Sequence, residues 1–190
     1  MDTYDPDIDN PYPTSEWNEI TKVEYISPLI LRREAAAIQT TRRVSVDADY
    51  IVGEKYEMAY RLDEERRTVT VPKGMLTDLS SSPRFAALVG IRRVGRHLEA
   101  SIVHDFLYIA WQYLTDGTAR EPRKEDRRFA DELMLSAMES AGVGWTRRNL
   151  IYGAVRAFGW GPYEGKNPDN FVVVPEASVA ETEPGEGGGS

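Results

Sequence analysis

His104 and Asp105 stand side by side in Ser101-Ile102-Val103-His104-Asp105-Phe106-Leu107-Tyr108, a run that is otherwise mostly apolar. An imidazole and a carboxylate in such a run are costly to bury unless each finds a partner or a metal ion. Two further carboxylates are candidates to meet them. Asp78 follows a strand in Thr77-Asp78-Leu79-Ser80-Ser81, and Asp131 sits at the edge of the apolar stripe of a later helix. Asp78, His104 and Asp131 make a mixed nitrogen and oxygen set suited to a divalent ion such as Zn²⁺, Mn²⁺ or Mg²⁺. Asp105 would then be a further ligand or the general base for a metal-activated water. The same residues also suit a closed polar network that needs no ligand. In that reading Asp78 caps the turn at Ser80 and Ser81, His104 donates to a carboxylate, and Asp105 pairs with Arg84 or Arg156. Residue types alone leave both readings open.

The elements that must position these groups divide into two halves. Tyr25 to Leu31, Val44 to Val52, Glu54 to Leu62 and Arg67 to Val71 are short β-prone runs, and Asp63-Glu64-Glu65 joins the last two as a hairpin loop would. Ser82-Pro83 and Gly90 bracket a short expected helix. Gly95 to Leu114 is apolar on nearly every side, the pattern of a central buried helix. Pro122 to Ala141 is amphipathic, with Phe129, Leu133, Ala137 and Ala141 on one stripe. Trp145 to Phe158 is a third helix, and Gly159-Trp160-Gly161-Pro162-Tyr163 reads as a packed C-terminal corner. Strands followed by helices predict an α+β fold, a small antiparallel sheet packed against about three C-terminal helices.

Charge narrows the function classes. The chain of 190 residues has a formal net charge of −8, with six carboxylates and no Lys or Arg in residues 1–19 and four more carboxylates in residues 176–190. The acidity sits at the ends, read as an extended arm (1–19) and a Gly-rich tail (176–190) around one domain (20–175). Tyr4, Tyr12 and Trp17 are more aromatic surface than a solvating arm needs, so parts of it are expected to pack. Nucleic-acid binding by the whole chain is disfavoured, and the clusters Arg92, Arg93, Arg96 and Arg123, Lys124, Arg127, Arg128 read as solvated faces. No apolar run spans a membrane, and the N-terminus lacks a secretory pattern. With no cysteine, disulfides, thiolate metal sites and cysteine nucleophiles are excluded. Nucleophile elbows, P-loops and dinucleotide fingerprints do not occur.

Three segments in order carry a family resemblance. Val71-Pro72-Lys73-Gly74-Met75-Leu76-Thr77-Asp78-Leu79-Ser80-Ser81-Ser82-Pro83-Arg84, then His104-Asp105-Phe106-Leu107-Tyr108, then Arg127-Arg128-Phe129-Ala130-Asp131 resemble the signature of an uncharacterised phage and prophage family, catalogued as domain of unknown function 1353. Met75 and Ser80 replace that pattern's usual aromatic and alanine. The resemblance spans roughly residues 45–160 and groups Asp78, His104, Asp105 and Asp131 as one constellation. The His-Asp pair is also similar to that of HD-type metal phosphohydrolases, which need a further upstream His. The only other histidine here is His97, on the same face of the same helix. The resemblance implies a phage or prophage origin and supplies no activity; taken with the absence of a recognised catalytic motif, it leads to the expectation of a phage-encoded structural or accessory protein of the virion or tail, located in the particle or the host cytoplasm. Its partners would be other phage proteins, with oligomers within an assembly. A small metal-dependent hydrolase acting in the phage cycle is the alternative.

Overall fold

A computed structural model describes residues 3–33, 50–77, 97–166 and 169–174. The fold is α+β. Among the described residues its N-terminal half forms two three-stranded antiparallel sheets, and its C-terminal half forms helices.

The first sheet has the order β1-β4-β5, from β1 (Ile20–Tyr25), β4 (Tyr56–Leu62) and β5 (Glu65–Val71). β4 and β5 pair in continuous register from Tyr56↔Val71 to Leu62↔Glu65. Their tight turn has Asp63 in the left-handed region at φ 52°, a conformation Asp tolerates better than most residues. Asp63 also accepts the backbone N–H groups of Asn18 and Glu19, which ties the turn to the start of β1. β1 pairs with β4 but bulges, with a register shift between Thr21 and Glu24 and Lys22 at φ 49°. The extra residue puts Ile20 and Val23 into the core at a spacing of three rather than two.

The second sheet has the order β2-β3-β6, from β2 (Leu31–Arg32), β3 (Tyr50–Val52) and β6 (Leu76–Thr77). The expected strand Tyr25–Leu31 is therefore split between the two sheets. Pro28 offers no ladder donor in the crossing, and the Ser27 hydroxyl accepts the Glu57 N–H there instead. Residues 44–49, the expected helix at Ser82–Gly90 and the tail 176–190 lie outside the described residues.

Among the described residues the helices are α1 (Leu98–Ile109), continued by a 3₁₀ turn (Ala110–Tyr113), α2 (Lys124–Ser140), α3 (Trp145–Phe158) and α4 (Trp160–Glu164). The corner at Trp160 is thus a short helix, with Tyr163 fully buried. α1 buries Ile102, Val103, Phe106 and Leu107, as its apolar circumference demands. α2 packs on α1 and β1, and α3 lies against α2. One hydrophobic core runs through the first sheet, α1 and α2. No helix among the described residues is long and apolar enough to cross a membrane.

Residues 3–19 lie on this body. Tyr4 and Phe171 join arm and C-terminal segment through a backbone bond of 3.2 Å and an edge-on ring contact. Beside them Val172 passes so close to Gly74 that a Cβ there would strike the Val172 carbonyl, which, with φ +90°, requires glycine. The deeper anchor is Tyr12. Its hydroxyl donates to the Leu107 carbonyl and accepts the Trp111 N–H at 3.2 Å. These are the two groups that an uninterrupted α-helix would join to each other. The arm thus supplies the bond lost where α1 tightens into its 3₁₀ turn.

Candidate functional site

Asp131 is the centre of the polar cluster. It projects from the middle of α2 and is completely buried. Its Oδ1 lies 2.9 Å from His104 Nε2 and accepts the Tyr108 hydroxyl at 2.7 Å. Its Oδ2 accepts Arg156 Nη1 at 3.0 Å and has Arg127 Nε at 3.7 Å. His104 and Tyr108 lie one turn apart on α1, Arg127 one turn before Asp131 on α2, and Arg156 near the end of α3. Three helices therefore meet on one carboxylate.

Neighbouring contacts fix the donors. Arg127 also donates to the Arg156 carbonyl at 2.9 Å and stacks over Trp160 at 5.6 Å. His104 and Tyr108 lie ring against ring at 4.1 Å. Gly159 leaves room for the Tyr108 hydroxyl, because a Cβ there would lie 2.5 Å from it.

Burial opposes ionisation of Asp131, yet the His104, Tyr108 and Arg156 bonds together hold its carboxyl below the usual range. Burial, followed by the Asp131 charge, pushes the Tyr108 phenol well above its usual value and keeps it a donor. Asp131 is thus an anion with both oxygens engaged and two guanidiniums beside it. A divalent cation at Asp131 would have to displace these donors and face two positive charges.

Asp105 points elsewhere. Its Oδ2 accepts the Thr77 hydroxyl at 3.1 Å, which ties α1 to the end of β6. Arg156, one of its two expected partners, serves Asp131 instead. Of the four residues singled out in the sequence, His104 and Asp131 are in contact. Asp105 belongs to a separate contact, and Asp78 lies outside the described residues. Among the described residues no group of three or more His, Cys, Asp or Glu side chains is placed to hold a metal.

Sequence reasoning missed Tyr108 and Arg127 as members of the cluster. The four-residue spacings His104–Tyr108 and Arg127–Asp131 were available as signals. It also missed Asp126, a buried carboxyl in the first turn of α2, whose pKa burial raises to about 6 against the opposing charge of Arg123.

A family model described as protein of unknown function (DUF1353) matches residues 54–155, more than half of the chain. The matched span holds His104, Asp105, Tyr108, Arg127 and Asp131, and it ends one residue before Arg156. No curated protein and no solved structure matches.

Proposed function

The chain belongs to the DUF1353 family of proteins of unknown function, and from that premise we propose that it is a phage-encoded structural or accessory protein of the virion or tail that works by binding other phage proteins. The observation that supports a binding role over a chemical one is the state of Asp131. A catalytic or metal-binding carboxylate needs an acceptor site left open to its ligand. Asp131, on α2, instead spends both oxygens on donors from two other helices of its own chain, α1 and α3. A cluster of this kind fixes the helices and leaves the surface to do the work. The phage setting is supported by the three ordered motif segments around Asp78, His104 and Asp131.

Quantitative mass spectrometry of purified particles from a producing strain tests this reading. A fixed copy number relative to the major capsid or tail proteins is expected. Absence from particles would overturn the virion assignment.

A further inference from the structure

Asp126 stands in the first turn of α2. A carboxylate there ordinarily faces water or accepts one of the free N–H groups of the helix end. Asp126 does neither. It is only 4% exposed, and among the described residues it takes part in no hydrogen bond and no ion pair. Asp131, further along the same helix, is buried too, but its oxygens accept Tyr108 and Arg156.

Two phenols close the site. Tyr12 comes from the arm, and its ring meets Phe129 edge-on at 6.4 Å, one turn after Asp126 on the same face of α2. Tyr163 comes from α4. Its hydroxyl is buried beside the Arg123 N–H at the start of α2 and makes no hydrogen bond of normal geometry. The charge of Asp126 reaches both phenols. After burial it is the next cause that raises Tyr163, and after burial and Tyr163 it raises Tyr12. Arg123, itself exposed, and Glu125 act on Asp126 in opposite directions. Arg127 faces Tyr163 but is engaged by the Arg156 carbonyl and the Trp160 ring.

In the closed fold an ionised Asp126 therefore has no donor on it. It needs water, and water reaches it when a covering element lifts. The arm is the cover that lifts most readily. Residues 3–19 contain no helix and no strand beyond isolated bridges, and they hold the body by separate bonds. Tyr12 bonds to Leu107 and Trp111, and the Ile8 carbonyl accepts the Thr115 N–H at 3.1 Å. α4 is fastened more firmly, by its own helical bonds and by Trp111 Nε1 donating to the Tyr163 carbonyl at 3.1 Å.

We propose that Asp126 is a proton-operated latch for the N-terminal arm: with its proton on, the arm lies closed over it through Tyr12, and loss of the proton frees the arm from the first turn of α2. This latch is independent of the virion reading. Its direction follows from linkage. The closed form, in which burial raises Asp126 to about 6, binds the proton more tightly than an open form whose carboxyl meets water at its ordinary value of about 4. Arm opening should therefore rise about 50-fold between pH 4 and pH 7 and level off above that.

Hydrogen–deuterium exchange of the full chain between pH 4 and pH 7, corrected for the pH dependence of intrinsic exchange, tests the latch. The reporters are the Thr115 and Trp111 amides, which donate to Ile8 and Tyr12 of the arm. In wild type their opening should rise with pH by this factor, and at every pH they should open more often than the amides that pair β4 with β5. In Asp126→Asn, which keeps the side chain neutral, their opening should stay at the low-pH level throughout. A wild-type profile that is flat with pH overturns the proposal, as does a rise that Asp126→Asn leaves intact. Opening of these amides only together with the β4–β5 pair also overturns it, because the arm would then have no motion of its own. So does a pH-dependent loss of protection at the Tyr163 and Gly165 amides of α4 in place of the arm.

Discussion

His104 Nε2 lies 2.9 Å from Asp131 Oδ1, joining the middle of α1 to the middle of α2 where both side chains are withdrawn from water. Around this pair, Tyr108 and Arg156 take the remaining strong acceptor positions of the carboxylate. The consequence is mechanical. Deleting one member leaves others charged or polar without partners.

Asp131→Asn keeps the shape and removes the charge. It leaves the Arg156 and Arg127 guanidiniums facing a neutral amide, and it is expected to cost about 3 kcal/mol or more. Urea denaturation should show a lower midpoint with an unchanged slope.

Two glycines at and near the end of α3 should respond oppositely to alanine. At Gly159 a Cβ would crowd the Tyr108 hydroxyl and the Val155 carbonyl, each 2.5 Å away. Gly159→Ala should therefore disturb the Tyr108–Asp131 bond and destabilise by at least about 1 kcal/mol. Gly153→Ala meets open space and should stabilise the fold by roughly 0.5–1 kcal/mol. Thermal unfolding of the two variants gives the comparison.

Tyr12→Phe removes the hydroxyl that bridges Leu107 and Trp111. Two buried backbone groups lose their partner, at a cost of about 1–3 kcal/mol. The arm should also loosen first, so limited proteolysis is expected to cut within residues 3–19 faster than in wild type.

Asp126 and Asp131 give opposite pH dependences. Asp131 has a depressed pKa, so its stabilisation is complete above the unfolded carboxylate value and is lost as pH falls through its lower folded value. Asp126 is raised to about 6, so the folded state holds this proton more tightly than the unfolded chain. Its contribution therefore favours folding at low pH and is lost as pH rises from about 4 to about 6. Asp126→Asn should remove that decline and raise stability at pH 7 by about 2 kcal/mol relative to wild type. Denaturation midpoints of both proteins between pH 4 and 7 check the sign.

The sequence made the local parts of this architecture readable. Trp145–Phe158 is a helix over the expected span, and the hairpin turns at Asp63 as expected, because caps, turn residues and periodicity are short-range signals. β1 was not readable. Its bulge at Lys22 breaks the alternation of two, and Ile20 and Val23 no longer look like one face. The division into two sheets depends on pairings between distant residues, which composition does not encode. The cluster shows the same limit. His104 and Asp131 announce themselves as polar groups in apolar helices. That Arg156 serves Asp131 rather than Asp105 depends on how α3 packs against α2.

The most direct test of the scaffold role is metal analysis of the purified wild-type chain, with thermal unfolding in EDTA and in excess Zn²⁺, Mn²⁺ and Mg²⁺. A carboxylate saturated by its own donors predicts no stoichiometric metal and the same unfolding temperature in all conditions, since a ligand bound only by the folded state would raise it. A bound ion that stabilises wild type and is lost in both His104→Ala and Asp131→Asn would contradict it and restore the metal-dependent hydrolase.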